Sequence, residues 1–408
     1  MKHRFGVLLV LLVVAICLGS SSVCAVASDW PMFRSNLEHT GTTTETVVPP
    51  LTQVWNYTTG GEVFSSPAVS GGIVYVGSGG GNVYALNAST GAKVWSYTTG
   101  SYVTSSPAVS GGIVYVGSDD YNVYALNAST GAKVWNYTTG NHVESSPAVS
   151  GGVVFIGSYD GSFYALNAST GAELWSYPTG GFIQSSPAVS GGVVFIGSSD
   201  GNFYALNAST GAKIWSYATG DIELASPAVS GGIVFIGSTD NITYALNATT
   251  GATVWSYTTG SFVHSSPAVS GGVVFIGSDD SNLYALNAST GAKIWSYKTG
   301  GAIVSSPAIS GGVVYVGSFD SIFYALNAST GAEVWNYTAG SYVRSSPAVS
   351  GGVVYVGSGD DMVHAFAGTP GTSIPEFPES LPFFTILISV LIAVLVERSL
   401  GRHRSSRV

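Results

Sequence analysis

The chain has 408 residues, of which 9% are charged, 45% hydrophobic and 12% aromatic, with 54 glycines and a formal net charge of −9. There is no basic patch, which excludes the electrostatic footprint of a nucleic-acid binder. Both cysteines, Cys17 and Cys24, fall in the first 27 residues, so the remainder can hold no disulfide, thiolate nucleophile or cysteine metal ligand.

Lys2 and Arg4 precede an apolar run from Val7 to Leu18, and small residues continue to Ala27. A basic start, a short apolar core and an A-x-A-like site read as a secretory signal peptide over residues 1–27, cleaved after Ala27. The alternative is a retained N-terminal anchor, for which the core is short against the roughly 20 residues of a span. No lipoprotein-like pattern precedes Cys24. Residues 28–50 form a lead-in that reads as a cap, with Trp30 and Phe33 as packing residues.

From residue 51 the chain repeats itself. A block reading SSPAVSGG, with small variation, begins at residues 65, 105, 145, 185, 225, 265, 305 and 345, a fixed spacing of 40. A Trp-x-Tyr triplet recurs in step at Trp55, Trp95, Trp135, Trp175, Trp215, Trp255, Trp295 and Trp335. Such a period decides the architecture. In the first complete unit the strand signals are Val63–Val69, Ile73–Gly77, Val83–Leu86 and Lys93–Tyr97, short and rich in Val, Ile, Tyr and Trp between turn residues. Gly71-Gly72 predicts a tight hairpin, as do Asp160-Gly161 and Asp200-Gly201 at the next join. No helical period occurs in the repeats.

Four antiparallel strands per unit, eight times over, predict an all-β fold: an eight-bladed β-propeller across residues 51–367. The last unit ends after its third strand and the first begins with a lone fourth strand, Gln53–Tyr57. The N-terminal strand is therefore expected to complete the final blade and remove the free edges. An open solenoid, the alternative, gives no reason for the split unit.

The run Ala85-Leu-Asn-Ala-Ser-Thr-Gly91-Ala-Lys-Val-Trp95, repeated from Ala125, Ala165, Ala205, Ala245, Ala285 and Ala325, resembles the tryptophan-docking repeat of PQQ-type propellers. That family includes quinoprotein alcohol dehydrogenases and the outer-membrane assembly factor BamB. Its third position is often Asp and is Asn here. The resemblance implies that each Trp docks flat between blades, beneath the Ala and Gly of a neighbour. The lead-in Asp29-Trp30-Pro31-Met32-Phe33-Arg34 resembles that of secreted members.

The eight copies can be compared with each other. Variation concentrates before the first strand, at 61–64 and its equivalents, and in the join between strands two and three. In a propeller these two loops share a face. Glu62, Tyr102, His142, Glu144, Phe182, Gln184, Glu223, His264, Tyr342 and Arg344 are therefore expected to ring the channel mouth, where converging aromatic and polar side chains suit binding. Solvated loop drift is the competing reading. Glu223 stands where other copies have Val or Ile. The recurring Asp120, Asp160, Asp200, Asp240, Asp280, Asp320 and Asp360 read as turn formers rather than a calcium ring, and no metal site is expected. Of the Asn-x-Ser/Thr sequons, Asn56, Asn136, Asn241 and Asn336 are the glycosylation candidates outside the fixed Asn-Ala-Ser-Thr-Gly turn.

After the propeller comes a linker, 368–380, holding Pro375-Glu376-Phe377. An apolar run, 381–396, and a tail, 397–408, with four arginines follow. Sixteen residues are marginal for a span, and the arginines fit a cytoplasmic end. The tail resembles the PEF-type sorting signals of archaeal surface proteins, which implies archaeosortase processing; a plain C-terminal membrane anchor is the alternative. Residues 28–380 hold 7 Lys and Arg against 21 Asp and Glu, a net charge near −14.

Two function classes follow. One is a non-enzymatic propeller at the cell surface that binds a protein, glycan or envelope component, without cofactor. The other is a PQQ- and calcium-dependent quinoprotein dehydrogenase. Against the second stand the absent cysteine pair and haem motif, and repeats with no insertions to build a lid. Arg344 with Glu144 or Glu223 is the only mouth set of suitable type. For the tail, mass spectrometry of the mature C-terminus is expected to show loss of the arginine-rich end; an intact end would leave the plain anchor.

Overall fold

The computed structural model describes residues 28–369. The leader with Cys17 and Cys24, the Pro-Glu-Phe motif, the apolar run 381–396 and the basic tail lie outside the described residues. Among the described residues no helix is long and apolar enough to cross a membrane.

Eight four-stranded antiparallel sheets form the blades of a propeller. In the first, Ala68–Ser70 lies innermost, followed outward by Ile73–Ser78, Asn82–Asn87 and Lys93–Thr98. The eighth blade joins the two ends of the chain. Its inner strands are Ala348–Ser350, Val353–Gly357 and Met362–Thr369, and its outermost strand is the N-terminal Val48–Thr58. This strand starts five residues before the predicted Gln53, and its partner runs past Ala367, to Thr369.

The turn chemistry explains the regularity. Gly71 and Gly72 have φ of 57° and 76°, the double positive φ of a type I′ hairpin that only glycine adopts without strain. At the third join, Asn87 Oδ1 accepts the backbone N–H groups of Ser89 and Thr90, each at 3.0 Å, and the Thr90 hydroxyl at 3.1 Å. In the second join the aspartates are turn formers. Asp120 accepts the Gly100 N–H at 2.6 Å, the Asn122 N–H at 3.1 Å and the Tyr124 hydroxyl at 2.7 Å. Burial alone would raise the Asp120 pKa; these donors bring it below the ordinary carboxylate value.

The predicted first strand, Val63–Val69, is corrected to Ala68–Ser70. Pro67 has no N–H to give to a ladder, and the serines before it bond elsewhere. Ser65 Oγ accepts the Gly77 N–H at 3.0 Å, in place of a backbone partner. The Ser66 N–H donates to Ser106 Oγ in the next blade at 2.9 Å. This second contact recurs at every blade boundary, at 2.9–3.0 Å, and closes on itself from Ser346 to Ser66.

The outer cohesion comes from tryptophan. The indole N–H groups of Trp55, Trp95, Trp135, Trp175, Trp215, Trp255 and Trp295 each donate to an alanine carbonyl of the next blade at 2.8–3.1 Å. The indole ring lies against the neighbour's glycine. A Cβ on Gly131 would come within 2.7 Å of the Trp95 ring, at a φ of 71°. Trp335 departs from this pattern, because the eighth blade has no Asn-Ala-Ser-Thr-Gly turn for it to meet. It packs edge-on against Phe366 instead, centroids 5.3 Å apart. A buried Trp removes about 150–250 Å² from water, which at about 25 cal/mol per Å² is on the order of 4–6 kcal/mol gross.

The outermost strands carry a β-bulge beside the Trp, and Lys93, Lys133, Lys213 and Lys293 start four of them. Bulges and edge lysines discourage pairing with another chain. We expect Trp215→Ala to cost about 3 kcal/mol and Trp215→Phe about 1 kcal/mol, the latter by orphaning the Ala248 carbonyl. Trp335→Phe should be nearly neutral. Thermal melts of the three variants test this; equal losses for the two Phe variants would refute the carbonyl's role.

Candidate functional site

The two variable windows are bonded to each other on one face. The Asp119 N–H donates to the Tyr102 carbonyl at 2.9 Å, and the Tyr159 N–H to the His142 carbonyl at 2.9 Å. The Ser-Gly-Gly and Asn-Ala-Ser-Thr-Gly turns lie at the opposite, constant face.

At the constant face the lead-in is threaded across the channel floor. The carbonyls of Trp30, Pro31, Leu37, Glu38, Thr40 and Gly41 accept the N–H groups of Val69, Val109, Val189, Val229, Val269 and Ile309 at 2.7–2.9 Å. Six blades thus have the inner edge satisfied by one segment. Arg34 is buried there, and its guanidinium donates to the carbonyls of Pro267, at 2.6 Å, and Pro307. Burial brings its pKa down to about 9. Burial, then the Arg34 charge, lowers His39 to about 3, against a hydrogen bond with the Pro227 carbonyl. Arg34 stood out in the sequence only as part of the lead-in motif and His39 not at all, since neither has a repeat equivalent.

Above this floor the channel holds a cavity of about 90 Å³, closed below by Phe33. Its wall is the serine ring of Ser66 and its equivalents. Its upper rim is one residue from each blade: Phe64, Thr104, Glu144, Gln184, Leu224, His264, Val304 and Arg344. Four of the sequence-selected residues therefore line the cavity: Glu144, Gln184, His264 and Arg344. The other rim positions could have been found from their place, two residues before the second serine of each block.

Glu62, Tyr102, His142 and Tyr342 stand outside the cavity, in the loops of the mouth. Tyr342 donates its hydroxyl to Glu62 Oε1 at 2.8 Å and stacks on Phe64 with centroids 6.0 Å apart. Arg344 lies over the same Phe64 ring, 5.0 Å from its centroid. The Gln184 amide donates to Glu144 at 2.5 Å. His142 Nδ1 is 2.8 Å from the Asp119 carbonyl. The Tyr159 and Phe182 rings stack 4.7 Å apart.

Glu223 is out of register. In blade five Ile222 occupies the buried slot of Val103 and Val263, against Gly197. The loop is one residue shorter before that slot and one longer after it. Glu223 is thereby displaced to the mouth, half-exposed, 4.0 Å from His264 Nε2. His264 Nδ1 in turn contacts Asp279 at 2.9 Å. Asp119, Tyr159 and Asp279 belong to the site and were not selected individually from the sequence. Their window was recognised as variable, but nothing in it said which side chains turn inward.

Of the glycosylation candidates, Asn56, Asn136 and Asn336 are exposed on outermost strands, while Asn241 sits in a hairpin of the variable face with φ of 70°. The Asn136 amide donates to Asn122 at 3.0 Å and that of Asn336 to Glu333 at 2.6 Å.

Two families match the chain. The one described as the β-propeller of beta-alanine-activating enzyme covers residues 126–312. The one described as outer membrane protein assembly factor BamB covers 52–145 and 298–374. Among solved structures, BamB from Moraxella catarrhalis is similar at 22% identity and a TM-score of 0.69, over 78% of this chain and 99% of that one. Quinohemoprotein alcohol dehydrogenase from Comamonas testosteroni is similar at 17% identity and a TM-score of 0.75, over 86% and 82%. A computationally designed protein, Ika8, is similar at 20% and 0.69, over 76% and 97%. No curated protein matches significantly. By fold the chain is an eight-bladed β-propeller, and the matches support a likeness to PQQ-like propellers.

A quinone with a calcium ion, as the resemblance to PQQ-type propellers implies, does not fit this channel. Pockets that enclose small molecules measure roughly 300–1,000 Å³, against about 90 Å³ here. Among the described residues no three His, Asp or Glu side chains are grouped to hold a metal ion.

Asp119 offers a test of the mouth's electrostatics. Burial, then the Glu144 charge, pushes it up to about 6, with His142 pulling the other way. A carboxyl raised on folding binds more protons in the native state between its unfolded value, near 4, and about 6. Its contribution to stability therefore falls as pH rises through that window. Asp119→Asn is expected to raise the melting temperature by about a degree or two at pH 7.5 and to change it little at pH 4. A gain of equal size at both values would place the effect elsewhere.

Proposed function

We propose that the chain is a non-enzymatic binding or scaffolding module whose variable face engages a protein, glycan or other component of the cell envelope. The observation that carries this reading is the division of the propeller into two faces. The side chains that differ between blades gather around one mouth. The opposite face is closed by the lead-in, and both described ends leave from it. Ser28 accepts from Ser350 there at 2.7 Å, and the Gly368 N–H donates to the Gly352 carbonyl at 3.2 Å.

With a cleaved leader and a C-terminal anchor, whether plain or exchanged for a lipid by an archaeosortase, this arrangement turns the mouth away from the membrane. A BamB-like propeller fold supports a binding or scaffolding role. The narrow channel and its lack of a quinone-sized space speak against the dehydrogenase reading.

The experiment has two arms on the full chain in detergent. Incubation with PQQ and Ca²⁺ is expected to leave no bound chromophore and no dye-linked alcohol oxidation. Envelope extracts and a glycan array are expected to yield a ligand whose binding weakens about tenfold when Tyr102→Ala and His142→Ala are combined. Alcohol oxidation that disappears in Arg344→Ala would overturn the proposal.

A further inference from the structure

Among the described residues, large apolar side chains that remain exposed are sorted by chemistry. The aliphatic ones, Val94 and its equivalents, sit one per blade on the outermost strands. The aromatic ones, Tyr102, Tyr121, Phe262 and Phe319, all lie on the variable face, with Tyr102 60% exposed. Each of the last three rests on a ring further in. Tyr121 meets His142 at 5.1 Å, Phe262 meets His264 at 5.7 Å and Phe319 meets Tyr342 at 5.2 Å. Exposed rings gathered on one face and held from behind mark an interaction surface rather than scattered surface residues.

Charge selects the occupant. The carboxylates of Glu62, Asp119, Glu144, Glu223 and Asp279 stand among these rings. Arg344 is the only Lys or Arg in the two variable windows, and its guanidinium is already seated over Phe64. The five lysines of the described residues are all on outermost strands. An anionic partner would be repelled and a neutral one would leave this charge unanswered, whereas a cation meets both carboxylates and ring faces. The exposed rings fall on opposite sides of the mouth, Tyr102 and Tyr121 on blade two, Phe262 on blade six and Phe319 on blade seven. That spread exceeds the reach of a small organic cation and suits a chain.

We propose that the variable face docks a basic polypeptide segment, its lysine or arginine side chains reaching the mouth carboxylates and lying against the exposed rings. This rests on the reading of that face as the binding face.

The test is fluorescence anisotropy of labelled deca-lysine and deca-arginine against the full chain in detergent, with deca-glutamate and a Gly-Ser peptide for comparison. The basic peptides are expected to bind, with affinity falling as salt rises. Glu62→Gln with Glu223→Gln should weaken binding at least tenfold. Tyr102→Ala with Phe262→Ala should weaken it severalfold at unchanged charge. Glu173→Gln with Glu333→Gln removes the same charge from outermost strands and should change it less than twofold. Equal loss from the outer pair would show bulk attraction to an acidic protein and overturn the inference. Binding of a neutral oligosaccharide, sensitive to the aromatic pair, without binding of the basic peptides, would also overturn it and leave the variable face as the binding face. An envelope ligand insensitive to every variable-face substitution would overturn both.

Discussion

The structure depends on a closed circle of hydrogen bonds around the axis. Each blade gives the N–H of its second serine to the serine hydroxyl of the next, and the last gives to the first. A linear repeat can absorb a misplaced unit by bending, but a closed ring cannot, because every angular step must match the others. That is a physical reason for copies to stay alike in the inner strand, the Gly-Gly hairpin and the Trp-bearing edge. It also confines change to loops that do not touch the ring. Blade five shows the rule under strain. Ala225 replaces the first serine and the loop before it is shifted, yet Ser226 still takes and gives its ring hydrogen bonds. The displaced residue, Glu223, is expelled to the mouth rather than into the wall.

The architecture was legible because it is periodic. Gly71-Gly72, the Asn-led turns and the Trp each announce a local geometry, and the 40-residue spacing multiplies them by eight. The split unit disclosed the closure for the same reason. What escaped was either non-periodic or dependent on side-chain partners. The stretch Val63–Pro67 has strand-like composition, yet serine hydroxyls and a proline take the place of ladder bonds. Arg34 and His39 are single residues that acquire meaning only where the lead-in crosses the channel floor. Glu223 was visibly odd, but its register shift appears only when Ile222 is seen in the buried slot. Among the mouth residues, alternation along the chain distinguished rim from loop only after the ring had fixed which residue faces inward.

The charged and apolar groups left over from the scaffold are segregated. Lysines and exposed aliphatic side chains mark the circumference, where bulged edge strands must avoid foreign pairing. Exposed rings and a cluster of carboxylates mark the mouth, while Glu173 and Glu333 take the lysine position on two of the outermost strands. The buried Arg34 stands apart from both, its charge answered by prolyl carbonyls rather than a carboxylate.

The same ring that confines variation also limits what the variable residues can do together. The direct contacts between mouth side chains run within a blade, as His264 with Asp279, or between neighbours: Glu144 with Gln184, Tyr342 with Glu62 across the closure, Glu223 with His264. Catalysis needs several unlike groups within hydrogen-bond reach of one reacting atom, whereas the direct bonds at this rim run within a blade or from one blade to the next. Recognition has the opposite requirement, since pairs of polar and aromatic groups spread around a rim can each take one part of an extended partner.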